Sequence, residues 1–178
     1  MTAIAYANRL WTGARGLLES SRYSWHRLAR RLTIDGPPTF IVGCGHSGTS
    51  ILLAILSAHP RLYAVPYESY IAADYSDFEN FQAALAHFDR LTIAAGKRRW
   101  VEKTPRHILY IGKILDWLPS AKIILILRDG RDVAYSFQKR KGSLKYGIGR
   151  WCEDNLAGRR YWGHHRQHVG VEKMAARF

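Results

Sequence analysis

Residues 40–50 read FIVGCGHSGTS: a buried apolar run that turns into a loop of small residues, with glycines at Gly43, Gly45 and Gly48. A strand, such a loop and a helix opening at Thr49 make an anion site. Free backbone N–H groups and the positive end of the helix dipole converge there. Ser47, Thr49 and Ser50 add hydroxyl donors beside Gly45, His46 and Gly48. The lysine that contacts the terminal phosphates of a nucleoside triphosphate is missing, because Thr49 follows Gly48. The loop is therefore built for a different phosphate-like group. A second segment, RDGRDVAYS at 128–136, follows another apolar run. Arg128 stands at the strand end and Ser136 in the next helix, so a planar guanidinium and a hydroxyl can meet over one cluster of phosphate oxygens.

The order and spacing of these segments resemble the sulfotransferases that use 3′-phosphoadenosine-5′-phosphosulfate (PAPS). VGCGHSGTS is similar to the family's loop for the 5′-phosphosulfate, and RDGRDVAYS to its motif for the 3′-phosphate. LSAHPRLYAVPYES after the loop is similar to the tyrosylprotein sulfotransferases and their bacterial relatives, and VEKTP at 101–105 to the lysine-bearing segment of heparan sulfotransferases. The resemblance covers roughly residues 39–160. It implies sulfuryl transfer from PAPS to a hydroxyl or amine, leaving 3′,5′-ADP, with no metal. It also implies that Gly45, His46, Ser47, Gly48, Thr49, Ser50, Arg128 and Ser136 bind the donor nucleotide.

Three catalytic roles follow from the resemblance. Glu68 occupies the place of the catalytic glutamate and is the candidate base. Lys103 matches the donor to the bridging oxygen. His46 departs from the family, which carries lysine or arginine there. It is assigned a hydrogen-bond donor role, protonated beside a dianion, and the alternative is that His46 rather than Glu68 is the base. The acceptor stays open among small molecules, carbohydrate, lipid and tyrosine. The competing readings are a P-loop nucleotide kinase-like protein and a catalytically weak or dead paralogue that binds 3′,5′-ADP-like nucleotides.

The elements that must position these residues are legible as alternating strands and helices. TFIVG (39–43) and KIILILR (122–128) read as strands buried on both faces, with RLYAV (61–65) and RRWVEK (98–103) between them. Helices are expected over 49–58, from a capping box at SDFE (76–79), from Thr104-Pro105 to about Trp117, and from 132 onward. The fold expected is a P-loop-like three-layer α/β sandwich, a central parallel sheet with helices on both faces. Two regions are expected: a basic amphipathic leader over 1–36, closed by DGPP at 35–38, and the α/β domain over 37–178. HVGVEKMAARF (168–178) starts like a further strand and stops, so the domain is expected to be incomplete and its sheet edge unpaired.

Composition bounds the rest. The 178 residues suffice for one domain that buries about two-thirds of its unfolded surface. A formal charge of +13 calls for an anionic partner. The arginines cluster in the leader and the motifs without a nucleic-acid-binding signature, so a nucleic acid is not the expected partner. The leader's arginines interleaved with leucine and tryptophan leave a peripheral membrane contact open. Cys44 and Cys152 suggest neither a zinc site nor a disulfide framework, and a cytoplasmic location is the default. His164, His165 and His168 lack a carboxylate or cysteine at ligand spacing and are set aside as a metal site. Trp151, Tyr161 and Trp162 read as core or acceptor-groove aromatics.

Overall fold

Strand β1 (Thr39–Gly43) is the middle of a five-stranded parallel sheet. The computed structural model describes residues 34, 36–74, 76–162 and 169–174. Most of the basic leader and all three histidines set aside above lie outside them. The chain divides into two units, Met1–Asp35 and Gly36–Phe178, and every element below belongs to the second. The other strands are β2 (Leu62–Ala64), β3 (Arg99–Lys103), β4 (Lys122–Arg128) and β5 (Val169–Met174), in the order β2-β3-β1-β4-β5.

A central parallel strand has helices over both faces, so its side chains have no solvent side. Phe40, Ile41 and Val42 are accordingly all buried completely. The two-residue period then divides the core. Phe40 and Val42 pack with Trp100, Ile123, Leu125, Ile108 and Ile114 on one face. Ile41, Val101 and Ile126 face the other way, under Leu52, Leu53 and Leu56 of helix α1 (Thr49–Ser57). The expected layered sandwich is the fold observed. Among the described residues no helix is long and apolar enough to cross a membrane.

Three local expectations are corrected. Helix α2 (Phe78–Ala94) is capped by Asp77, whose carboxylate accepts from Asn80 N–H at 2.7 Å, and not by Ser76. Ser76 is used elsewhere, its hydroxyl donating to the Tyr70 carbonyl at 3.2 Å. The single helix expected from Thr104 is a 3₁₀ segment (Pro105–Tyr110) followed by α3 (Ile111–Trp117). Thr104 and Pro105 do stand at its start, but the Thr104 hydroxyl makes tertiary contacts and caps nothing. Finally, the strand expected to break off is formed. β5 pairs with β4 from Ile123↔Val169 to Arg128↔Met174, so that edge of β4 is covered.

Helices α4 (Gly130–Lys141) and α5 (Leu144–Arg159) close the β4 side. A Cβ at Gly147 would lie 2.8 Å from Ala134 Cα and from Phe137 Cβ, so only glycine lets α5 approach α4 this closely.

Candidate functional site

The anion loop leaves the C-terminal end of β1, where the chain's path across the sheet reverses direction between β1 and β4; in open parallel sheets ligands bind at such a crevice. Its turn is closed by Ser47 N–H donating to the Cys44 carbonyl at 3.2 Å. His46, with φ of 66°, and Gly48, with φ of 97°, carry the backbone through the left-handed region into α1. Gly48 is the N-cap and has no side chain to satisfy the first turn. The first helical bond is Leu52 N–H to the Gly48 carbonyl at 3.0 Å, which leaves the amides of Thr49, Ser50 and Ile51 without helical acceptors. Ser47 is 1% exposed, and among the described residues its hydroxyl has no hydrogen-bond partner. Such an orphaned buried donor fits a loop shaped for an anion.

Arg128 and Ser136 both reach this loop. Arg128 Nη1 donates to the His46 carbonyl at 3.2 Å, and its Nε lies 3.4 Å from Asp132. Ser136, on α4, places Oγ 3.1 Å from His46 Nδ1. Trp151 steadies the strand end by donating its indole N–H to the Arg128 carbonyl at 2.9 Å. The two predicted anion segments thus meet at His46, 82 and 90 positions away in the chain. Gly45, Gly48, Thr49, Ser50, Arg128 and Ser136 line one cleft of about 640 Å³ with the imidazole. The ring packs on Phe137, with centroids 4.3 Å apart. Burial, then the charges of Arg140 and Lys141, push its pKa below the usual histidine value. Both effects, burial first, disfavour the protonated form in the free protein; the protonated form expected from the sequence is that of a ring beside a dianion.

Glu68 also lines the cleft, and Lys103 reaches it through that carboxylate. Lys103 Nζ lies 2.6 Å from Glu68 Oε1, and Tyr70 donates its hydroxyl to Oε2 at 2.8 Å. Burial raises the Glu68 pKa, but the hydrogen bonds from Lys103 and then Tyr70 outweigh it and hold the group below its ordinary value. The two residues expected to act on opposite ends of a transfer are brought together, onto each other.

Sequence reasoning missed the floor of the cleft. Asp154 is fully buried and accepts from Arg106 Nη1 at 3.1 Å and Arg150 Nη2 at 3.0 Å. Both arginines line the cleft, with Arg140 and Lys141 from the end of α4. The one available signal was the i,i+4 spacing of Arg150 and Asp154, which on its own marks a solvated helix face. Burial, together with the neighbouring Asp154, pushes the Cys44 thiol up to about 12. Tyr161 and Trp162 pack against the main core cluster, and Trp151 against the smaller cluster of Cys44, Val133 and Phe137. Among the described residues, no three His, Cys, Asp or Glu side chains gather as a metal site.

A parallel sheet with a glycine-bounded anion loop and a strand-end arginine defines a P-loop-like α/β protein. The model of the sulfotransferase family matches residues 70–175, more than half of the chain, and the chain belongs to that family. The match takes in Lys103, Arg128 and Ser136; the Gly43–Gly48 loop and Glu68 precede it. An uncharacterized protein of Aquifex aeolicus is 26% identical, over 70% of this chain and 21% of its own length. Nodulation protein NoeE of Sinorhizobium fredii is 28% identical, over 58% and 31%. The chain spans less than a third of each of these relatives.

Among solved structures, a sulfotransferase from Alicyclobacillus acidocaldarius aligns with a TM-score of 0.53 at 21% identity, over 79% of this chain and 74% of that one. A sulfotransferase domain from the curacin biosynthetic pathway gives 0.54 at 15%, over 79% and 68%. A mouse sulfotransferase complexed with PAP gives 0.51 at 16%, over 79% and 52%. At these identities the likeness concerns the fold.

Proposed function

We propose that this chain carries the catalytic core of a sulfotransferase that takes a sulfuryl group from PAPS and passes it to a hydroxyl or amine. The observation that carries this reading is the convergence of Arg128, Ser136 and the uncapped start of α1 on one cleft. A donor with a phosphate at each end of its ribose needs two such anion sites. The buried Ser47 hydroxyl and the cations lining the cleft fit it as well.

The amides of Thr49, Ser50 and Ile51 and the Ser47 hydroxyl would hold the 5′-phosphosulfate, and Arg128 with Ser136 the 3′-phosphate. The bound donor supplies an activated S–O bond whose cleavage leaves 3′,5′-ADP. Glu68 takes the acceptor's proton as the new S–O bond to a hydroxyl, or S–N bond to an amine, forms. Lys103 donates to the oxygen that departs with the phosphate, where negative charge accumulates. Both roles require the ion pair between them to open, since the carboxylate is held low while Lys103 stays on it. His46, neutral by its surroundings, gains a reason to be protonated once phosphate charge stands beside it.

Thermal shift with nucleotides tests the reading. 3′,5′-ADP should stabilise the protein well beyond AMP, because only the former engages Arg128 and Ser136. Arg128→Ala should remove about 2–3 kcal/mol of that binding, the scale of a lost charged hydrogen bond. Equal stabilisation by the two nucleotides would overturn it. With binding established, a panel of sugar, lipid, small-alcohol and tyrosine acceptors would identify the acceptor.

A further inference from the structure

Between the cleft and the core lies a buried polar network that the mechanism above does not use. Glu102 is completely buried, yet its carboxylate is surrounded by donors. Oε1 accepts from Ser69 N–H at 3.3 Å, from the Ser69 hydroxyl at 2.8 Å and from the Thr104 hydroxyl. Oε2 lies 3.2 Å from His107 Nδ1. His107 is also fully buried, and its Nε2 accepts from Ala72 N–H at 3.3 Å. That bond fixes the tautomer: the ring proton sits on Nδ1 and points at Glu102. Thr104 completes the set by accepting from Ser69 N–H at 2.9 Å.

The bonds from Ser69 to Glu102 and Thr104, and from Ala72 to His107, tie the segment Ser69–Ala72 to the end of β3 and the 3₁₀ segment after it; Ser69–Ala72 has no ladder or helix of its own. Tyr70 within it has φ of 51°, a conformation that costs a non-glycine residue energy and persists only where surrounding contacts impose it. Along a strand, side chains alternate. Lys103 reaches Glu68, while its neighbours Glu102 and Thr104 reach Ser69. The two contacts are adjacent rungs between the same two stretches of chain, and the inner one is buried.

The geometry points to Thr104, Glu102 and His107 as positioning residues that set the Glu68 carboxylate against Lys103; the consequence for catalysis rests on the sulfotransferase reading. Thr104→Val keeps the shape and removes the hydroxyl. It should speed hydrogen exchange of the Ser69–Ala72 amides and move the Glu68 titration, followed by carbon-13 NMR, up toward the ordinary glutamate value. Thr104→Ser should restore both. These readouts need no substrate. An unchanged Glu68 titration in a folded Thr104→Val protein overturns the inference, whatever the donor.

Under the sulfotransferase reading, Thr104→Val should also lower kcat about 10-fold or more while 3′,5′-ADP affinity stays within about two-fold. In a Glu68→Gln background the same substitution should change little, since the effect runs through Glu68. A full, additive loss in that background overturns the positioning role. Absence of 3′,5′-ADP binding in the unaltered protein would instead strike the reading on which the kinetic part rests.

Discussion

Lys103 Nζ and Glu68 Oε1 lie 2.6 Å apart although 35 positions separate them in the chain. Burial alone would raise the glutamate's pKa; Lys103 and Tyr70 reverse the sign. Lys103→Met should therefore raise the Glu68 pKa, read by carbon-13 NMR. The pair's contribution to stability is present above the unfolded glutamate pKa and lost as pH falls through the lower folded value. Glu68 is 36% exposed, so that contribution is at most about 1 kcal/mol. In transfer assays Glu68→Gln should cost about 10²-fold or more with nucleotide affinity intact. Full activity in Glu68→Gln, with loss in His46→Asn, would give the base role to His46.

His46 should titrate below the ordinary histidine range in the free protein, because burial and then Arg140 and Lys141 favour the neutral ring. Its folded-state pKa is depressed, so its contribution to stability is full above the unfolded histidine value and declines as pH drops through the folded one. Saturating 3′,5′-ADP should raise the midpoint by bringing phosphate charge to the ring. Proton NMR of the imidazole follows this directly. A midpoint unmoved by bound nucleotide would place the phosphates elsewhere.

Asp154→Asn should be among the most destabilising polar substitutions. It leaves Arg106 and Arg150 without the buried charge to which each donates. Asn keeps one acceptor and the two arginines are 34% and 20% exposed, so the loss should be about 1–3 kcal/mol. Glu153→Gln, at a side chain 55% exposed, should cost about 1 kcal/mol or less. Urea unfolding of the two variants should separate them clearly.

The two cysteines should differ sharply toward alkylating reagents. Cys44 is buried with its thiol pushed up to about 12, whereas Cys152 is exposed. The thiolate is the reactive species, so iodoacetamide at pH 8 should label Cys152 and leave Cys44 until the protein unfolds. Peptide mass spectrometry reads both sites. Rapid labelling of Cys44 in the folded protein would contradict the packing around Asp154.

The sequence alone determined the parts whose causes are local. The apolar runs within 39–43 and 122–128 became β1 and β4 with the expected bounds, because a strand covered on both faces excludes charge between its ends. The glycine spacing of 43–48 and the eight-residue step from Arg128 to Ser136 marked both anion-binding segments, since turn geometry and helix polarity are properties of adjacent residues. Tertiary structure decided what depends on residues distant in the chain. Asp77 rather than Ser76 caps α2 because Ser76 is drawn to Tyr70, and Thr104 caps nothing because Ser69 claims its hydroxyl. The Glu68–Lys103 pair, the neutral bias of His46 and the burial of Asp154 between two arginines depend likewise on distant segments. Periodicity reports which face of an element is apolar; it does not report which charged groups the folded chain brings within hydrogen-bonding distance, and those distances set the protonation states on which the chemistry depends.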